Sequence, residues 1–68
     1  MATGTVKWFN PTKGFGFIQP DSGGTDVFVH ISALHDANLQ GLNDGQAIEY
    51  TLEPDRKGKM AAQKLKLI

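Results

Sequence analysis

Sixty-eight residues leave room for one domain with a small, marginally stable core. The absence of cysteine excludes disulfides and thiolate metal sites, and no apolar run approaches the roughly 20 residues that span a bilayer. Seven Lys and Arg balance seven Asp and Glu, which disfavours binding driven mainly by phosphate neutralisation. The charges are nevertheless segregated. Residues 1–20 carry Lys7 and Lys13 and no acid, residues 56–68 carry Arg56, Lys57, Lys59, Lys64 and Lys66 and no acid, and every acid lies between Asp21 and Asp55. A folded domain can bring its two basic ends together. The opening segment MATGTVKWFN holds no apolar signal-peptide core, so a cytoplasmic protein with no membrane partner is expected.

Strand signals dominate the chain. TGTVKWFN is rich in β-branched and aromatic residues and stops at Asn10-Pro11, a turn signal. Val6 and Trp8 share a parity, so a core Val6 with an outward Trp8 requires a bulge or bend near Lys7. GFGFIQP forms the second strand, and PDSGGTD turns the chain. DVFVHI alternates, with Val27, Val29 and Ile31 on one face and Asp26, Phe28 and His30 on the other. In SALHDANLQGLNDG, Ser32 is placed to cap a short helical turn through Leu34 or His35, and Gly41 and Gly45 argue against a long helix. QAIEYTLE alternates with Ile48, Tyr50 and Leu52 inward. DRKGK turns, and MAAQKLKLI closes with Leu65 and Leu67 inward and Lys64 and Lys66 outward. Five short strands and one longer connection predict an all-β, closed or partly closed barrel with a short helical turn between strands three and four.

The outward set is the informative one. If Ile18 is core, Phe15 and Phe17 both face away from it. A short turn pairs the second and third strands antiparallel, which adds Phe28 and His30 to the same patch, and Trp8 joins if the first strand pairs with the second. Lys7 and Lys13, with Arg56 or Lys57, fall at its rim. A contiguous exposed aromatic patch marks a binding surface. Flat rings flanked by cations suit single-stranded nucleic acid, since every base has a π-face and each stack contributes roughly 1–3 kcal/mol. Three or four stacks give useful affinity without a large net charge, and they predict a shallow salt dependence.

GTVKWFNPTKGFGFIQPDSGGTDVFVHISAL resembles the bacterial cold-shock proteins, the cold-shock-domain family. KGFGFI is similar to that family's first ribonucleoprotein-type motif and VFVH to its second, and KWFN and GQAIEYTLE also match. The resemblance covers essentially all of residues 1–68. It implies a five-stranded antiparallel OB-fold barrel that binds single-stranded RNA and single-stranded DNA with little sequence preference. It also implies a nucleic-acid chaperone that prevents or melts RNA secondary structure, with roles in antitermination or translation during the cold-shock response. The residues it carries over are Lys7, Trp8, Lys13, Phe15, Phe17, Phe28 and His30, with Phe9, Asn10 and Asp26 as edge neighbours. Two positions depart from many relatives: Ile31 and Leu39 stand where those have aromatics. A shorter stacking platform is therefore expected, partly offset by the basic PDRKGKM turn. Asp26 is expected to support a turn or orient a neighbour, since it would repel phosphate.

Other classes fit less well. KGFGFIQP follows the RRM pattern only until Pro20, and the chain has no segments for two substantial helices. An SH3-like peptide binder would more often set acids than lysines beside its aromatics. No Ser/His/Asp set, carboxylate pair or dinucleotide motif can be assembled, so neither an enzyme nor a cofactor is expected. A zinc site on His30, His35 and Asp36 lacks ligands and spacing. A monomer is expected.

Overall fold

Alternating β-branched and aromatic residues become five antiparallel strands in a computed structural model that describes residues 2–55 and 57–68. The strands are β1 (Ala2–Asn10), β2 (Phe15–Pro20), β3 (Val27–His30), β4 (Ala47–Pro54) and β5 (Met60–Leu67), with a short helix α1 (Ile31–Asp36) after β3. They form one sheet in the order β3-β2-β1-β4-β5. The sheet curls until its outer members β3 and β5 lie against each other, which gives the OB-type barrel. Among the described residues no helix is long and apolar enough to cross a membrane.

The bulge that the Val6/Trp8 parity demands is present. Val6 pairs with Ile18 and Trp8 with Phe17, so Lys7 is the extra residue on β1. Val6 and Ile18 point into the core, and Trp8 and Phe17 point out. A second bulge on β5 opposes Lys64 and Leu65 to Tyr50, and Lys64 takes a left-handed conformation with φ of 53°. Extra residues of this kind bend and twist a strand, which is how a short sheet closes on itself.

The core comprises Val6, Ile18, Val29, Ala33, Leu34, Leu42, Ile48, Tyr50, Ala62 and Leu65, with Phe9, Val27, Ala37 and Leu39 packed at its margin. Four expectations need correction. Leu52 is half exposed, although it pairs across β4 and β5 with the fully buried Ala62. Leu67, near the end of β5, is also more than a third exposed. Ile31 belongs to α1 and not to the third strand. The cap of α1 is His30, not Ser32. The extended His30 backbone places Nδ1 where it accepts the Ser32 amide at 3.1 Å, satisfying a donor that a helix N-terminus leaves free.

Candidate functional site

The β1–β2 turn sets the geometry of the aromatic strand. Asn10 Oδ1 accepts the amides of Thr12 and Lys13 at 3.0 and 3.1 Å, and its carbonyl accepts the Gly14 amide at 2.8 Å. Gly14 has φ of +80°, a region that glycine enters without steric cost. Its carbonyl accepts the Ile31 amide, which ties β2 to the start of α1. Gly16 is required by close approach: a Cβ there would sit 2.4 Å from the Trp8 carbonyl oxygen and 2.8 Å from Phe9 Cα. Removing that side chain lets β1 and β2 close together, so that Trp8 meets the two phenylalanines.

Register then assembles the patch. Phe15 pairs with His30 and Phe17 with Phe28 across β2 and β3, while Trp8 pairs with Phe17 across β1 and β2. Trp8 lies 5.6 Å from Phe15 and 5.4 Å from Phe17, edge to face. Phe28 lies 5.8 Å from Phe15, stacked at 29°, and 5.9 Å from Phe17. His30 follows 6.4 Å beyond Phe28. These are favourable edge and offset arrangements. The rings also cover one another. Trp8 and His30 are exposed, whereas Phe15, Phe17 and Phe28 are half-buried by their neighbours and do not stand fully bare.

The polar rim is differentiated. The Lys7 ammonium, displayed by the bulge, bonds Asp26 Oδ2 at 2.9 Å. Asp26 therefore orients a neighbouring cation, the role expected of it, and both groups keep substantial exposure. Lys13 is exposed at the end of its turn. Nδ1 of His30 is occupied as an acceptor, so the proton of the neutral ring resides on Nε2, at the other edge. Lys57 is exposed in the β4–β5 turn, and Arg56 lies outside the described residues.

Two candidate residues have structural roles here. Asn10 uses its side-chain oxygen to brace the turn. Phe9 packs beside the core, on the opposite side of β1 from Trp8. Leu39 likewise turns to the core margin, and Ile31 packs near Gly14, so the described ring series runs from Trp8 to His30. Sequence reasoning did not assign Lys59. Its ammonium lies 4.9 Å from the centroid of Phe28, and it lines an open hollow of about 410 Å³ with Phe28, His30, Ser32, Asp55 and Lys57. The basic run in residues 56–59 signalled a cationic turn, but the side of the barrel it would cover depends on where β5 meets β3.

With this geometry established, similarity to known proteins is specific. Residues 2–68 match the family model described as the 'Cold-shock' DNA-binding domain. The chain is 70% identical over 66 residues to the probable cold shock protein y4cH of Sinorhizobium fredii, covering 96% of each. It is 57% identical over 67 residues to cold shock protein CspA of Rhizobium meliloti, covering 97% of each. It is 50% identical over 60 residues to the cold shock-like protein CspG of Escherichia coli, covering 88% of this chain and 86% of that one.

Proposed function

The chain belongs to the 'cold-shock' DNA-binding domain family, and on that premise we propose that its aromatic face binds single-stranded RNA and DNA with little base preference. The observation that carries the reading is the continuous set of rings contributed by three adjacent strands, Trp8, Phe15, Phe17, Phe28 and His30. Stacking uses the π-face common to all bases, so affinity does not require a particular sequence. Lys13 and Lys57 supply phosphate contacts at the rim. Lys7 joins them once its bond to Asp26 exchanges for one to phosphate.

The activity is competition. A base seated on a ring is withdrawn from its pairing partner, so each occupied site shifts a hairpin toward its open form by mass action. Held along a nascent transcript, such a protein acts as an RNA chaperone, and opening a terminator hairpin yields antitermination. No nucleotide hydrolysis enters the scheme. One monomer, residues 1–68 as one domain, acts in the cytoplasm.

Quenching of Trp8 fluorescence on titration with oligothymidine tests the reading. Saturable quenching is expected, with a log–log salt slope corresponding to a few phosphates at about 0.7 each. A proline-rich peptide should produce none. No response to oligothymidine, or a response to the peptide alone, would overturn it. A fluorophore-labelled RNA hairpin should open on addition of protein without ATP.

A further inference from the structure

We propose that Lys59 is a displaceable cap on the Phe28 stacking site: it occupies that ring in the free protein and moves to a phosphate when a base arrives. The inference rests on the single-strand reading above and adds a residue to it. A cation within about 6 Å of a ring centroid is held by the ring's quadrupole. At 4.9 Å, the Lys59 ammonium occupies space that a base stacked at van der Waals distance, about 3.5–4 Å, must enter. Both cannot lie on the same part of Phe28.

The turn is built to let the side chain move while the backbone stays. Asp55 Oδ1 accepts the amides of Lys57 and Lys59, each at 2.9 Å, and the Asp55 amide donates to the Lys59 carbonyl at 2.8 Å. Gly58, with φ of +82°, allows that tight reversal. The Lys59 backbone is thus anchored at the edge of the hollow, and its side chain is exposed. Among the described residues Lys59 makes no ion pair, unlike Lys7 and Lys64, although Asp55 lines the same hollow. An exposed cation–π contact is weaker than a base–aromatic stack, so the base wins the ring. The ammonium then remains within the same hollow, which Lys57, Ser32, His30 and Asp55 also line, and there it pairs with the phosphate beside that base.

The two roles oppose each other and separate with salt. Against wild type, Lys59→Ala should bind oligothymidine more weakly at low salt, with a log–log slope smaller by about 0.7. At high salt, where the phosphate contact is screened, it should bind roughly two- to fivefold tighter, because the ring is no longer capped. The two salt lines should cross. Lys57→Ala should lose slope without crossing, and in a Phe28→Ala background the Lys59 crossing should vanish. In nuclear magnetic resonance spectra, the Lys59 ε-methylene protons should be shifted upfield by the ring current in the free protein and return to ordinary values on saturation with oligothymidine. Lines that converge without crossing, or unshifted ε-protons in the free protein, would reduce Lys59 to an ordinary rim cation and end the proposal. Absence of any oligothymidine binding by wild type would instead strike the single-strand reading, and the cap with it.

Discussion

Phe17 touches three other rings, Trp8, Phe15 and Phe28, at centroid distances of 5.4, 6.4 and 5.9 Å. On the proposed single-strand reading it has two roles, packing and base stacking, that one substitution exposes together. Phe17→Ala should weaken oligothymidine binding by about 1–3 kcal/mol, the worth of one stack. It should also lower stability by about 0.5–3 kcal/mol, because the ring is half-buried against its neighbours. Titration of the folded variant and a urea transition separate the two losses. Unchanged affinity per folded molecule would remove Phe17 from the binding face. His30 caps α1 through Nδ1 while its ring continues the aromatic series beyond Phe28.

Among the elements, β1 and β5 carry the bulges, and each makes a prediction. Just beyond the β1 bulge Gly16 pairs with Phe9, and an added Cβ there meets backbone atoms that cannot yield. Gly16→Ala should cost about 3 kcal/mol or more and separate Trp8 from Phe17. A urea midpoint near that of wild type would show that the two strands can part at little cost. The β5 bulge holds Lys64 at φ of 53°, a conformation that disfavours any residue with a Cβ. Its exposed pairing with Glu53 at 3.4 Å contributes little. Lys64→Gly should therefore be more stable than Lys64→Ala by about 1 kcal/mol, since both lose the pair and glycine alone escapes the strain. Equal urea midpoints for the two variants would contradict this account of the bulge.

At the scale of the whole molecule, Tyr50 links the core to a distant turn. Burial pushes its phenol above its ordinary pKa, and the nearby Asp21 charge adds to the rise. Asp21 is held there by Thr3, whose hydroxyl donates to its carboxylate at 2.9 Å. The folded protein thus retains the phenolic proton to higher pH than the unfolded chain does. Between the unfolded value, about 10, and the raised folded value, the native state binds more protons, so stability falls as pH rises. The contribution is intact below about pH 10 and is lost as pH climbs through the folded pKa. Tyr50→Phe has no such proton and should lose less stability between pH 9 and 11. Urea midpoints across that range, compared with wild type, measure the difference. Parallel alkaline losses in the two proteins would show that other groups, such as the lysines, account for the effect.

Much of the barrel and of its ring face was legible in one dimension. Strand side chains alternate because covalent geometry compels it, so Phe15, Phe17 and Phe28 had to oppose Ile18, Val27 and Val29 wherever the strands lay. The parity conflict between Val6 and Trp8 located a bulge for the same reason. Alternation was silent about how far each strand outruns its cover, and it misplaced Leu52 and Leu67. It was equally silent about contacts between residues far apart in the chain. The bond from Lys7 to Asp26 spans β2 to link β1 with the start of β3, and the seat of Lys59 over Phe28 arises only when β5 comes to rest against β3. Local sequence determined which side chains face outward. Closure of the barrel decided which cations stand beside which rings, because that depends on packing between distant segments and not on the spacing within any one of them.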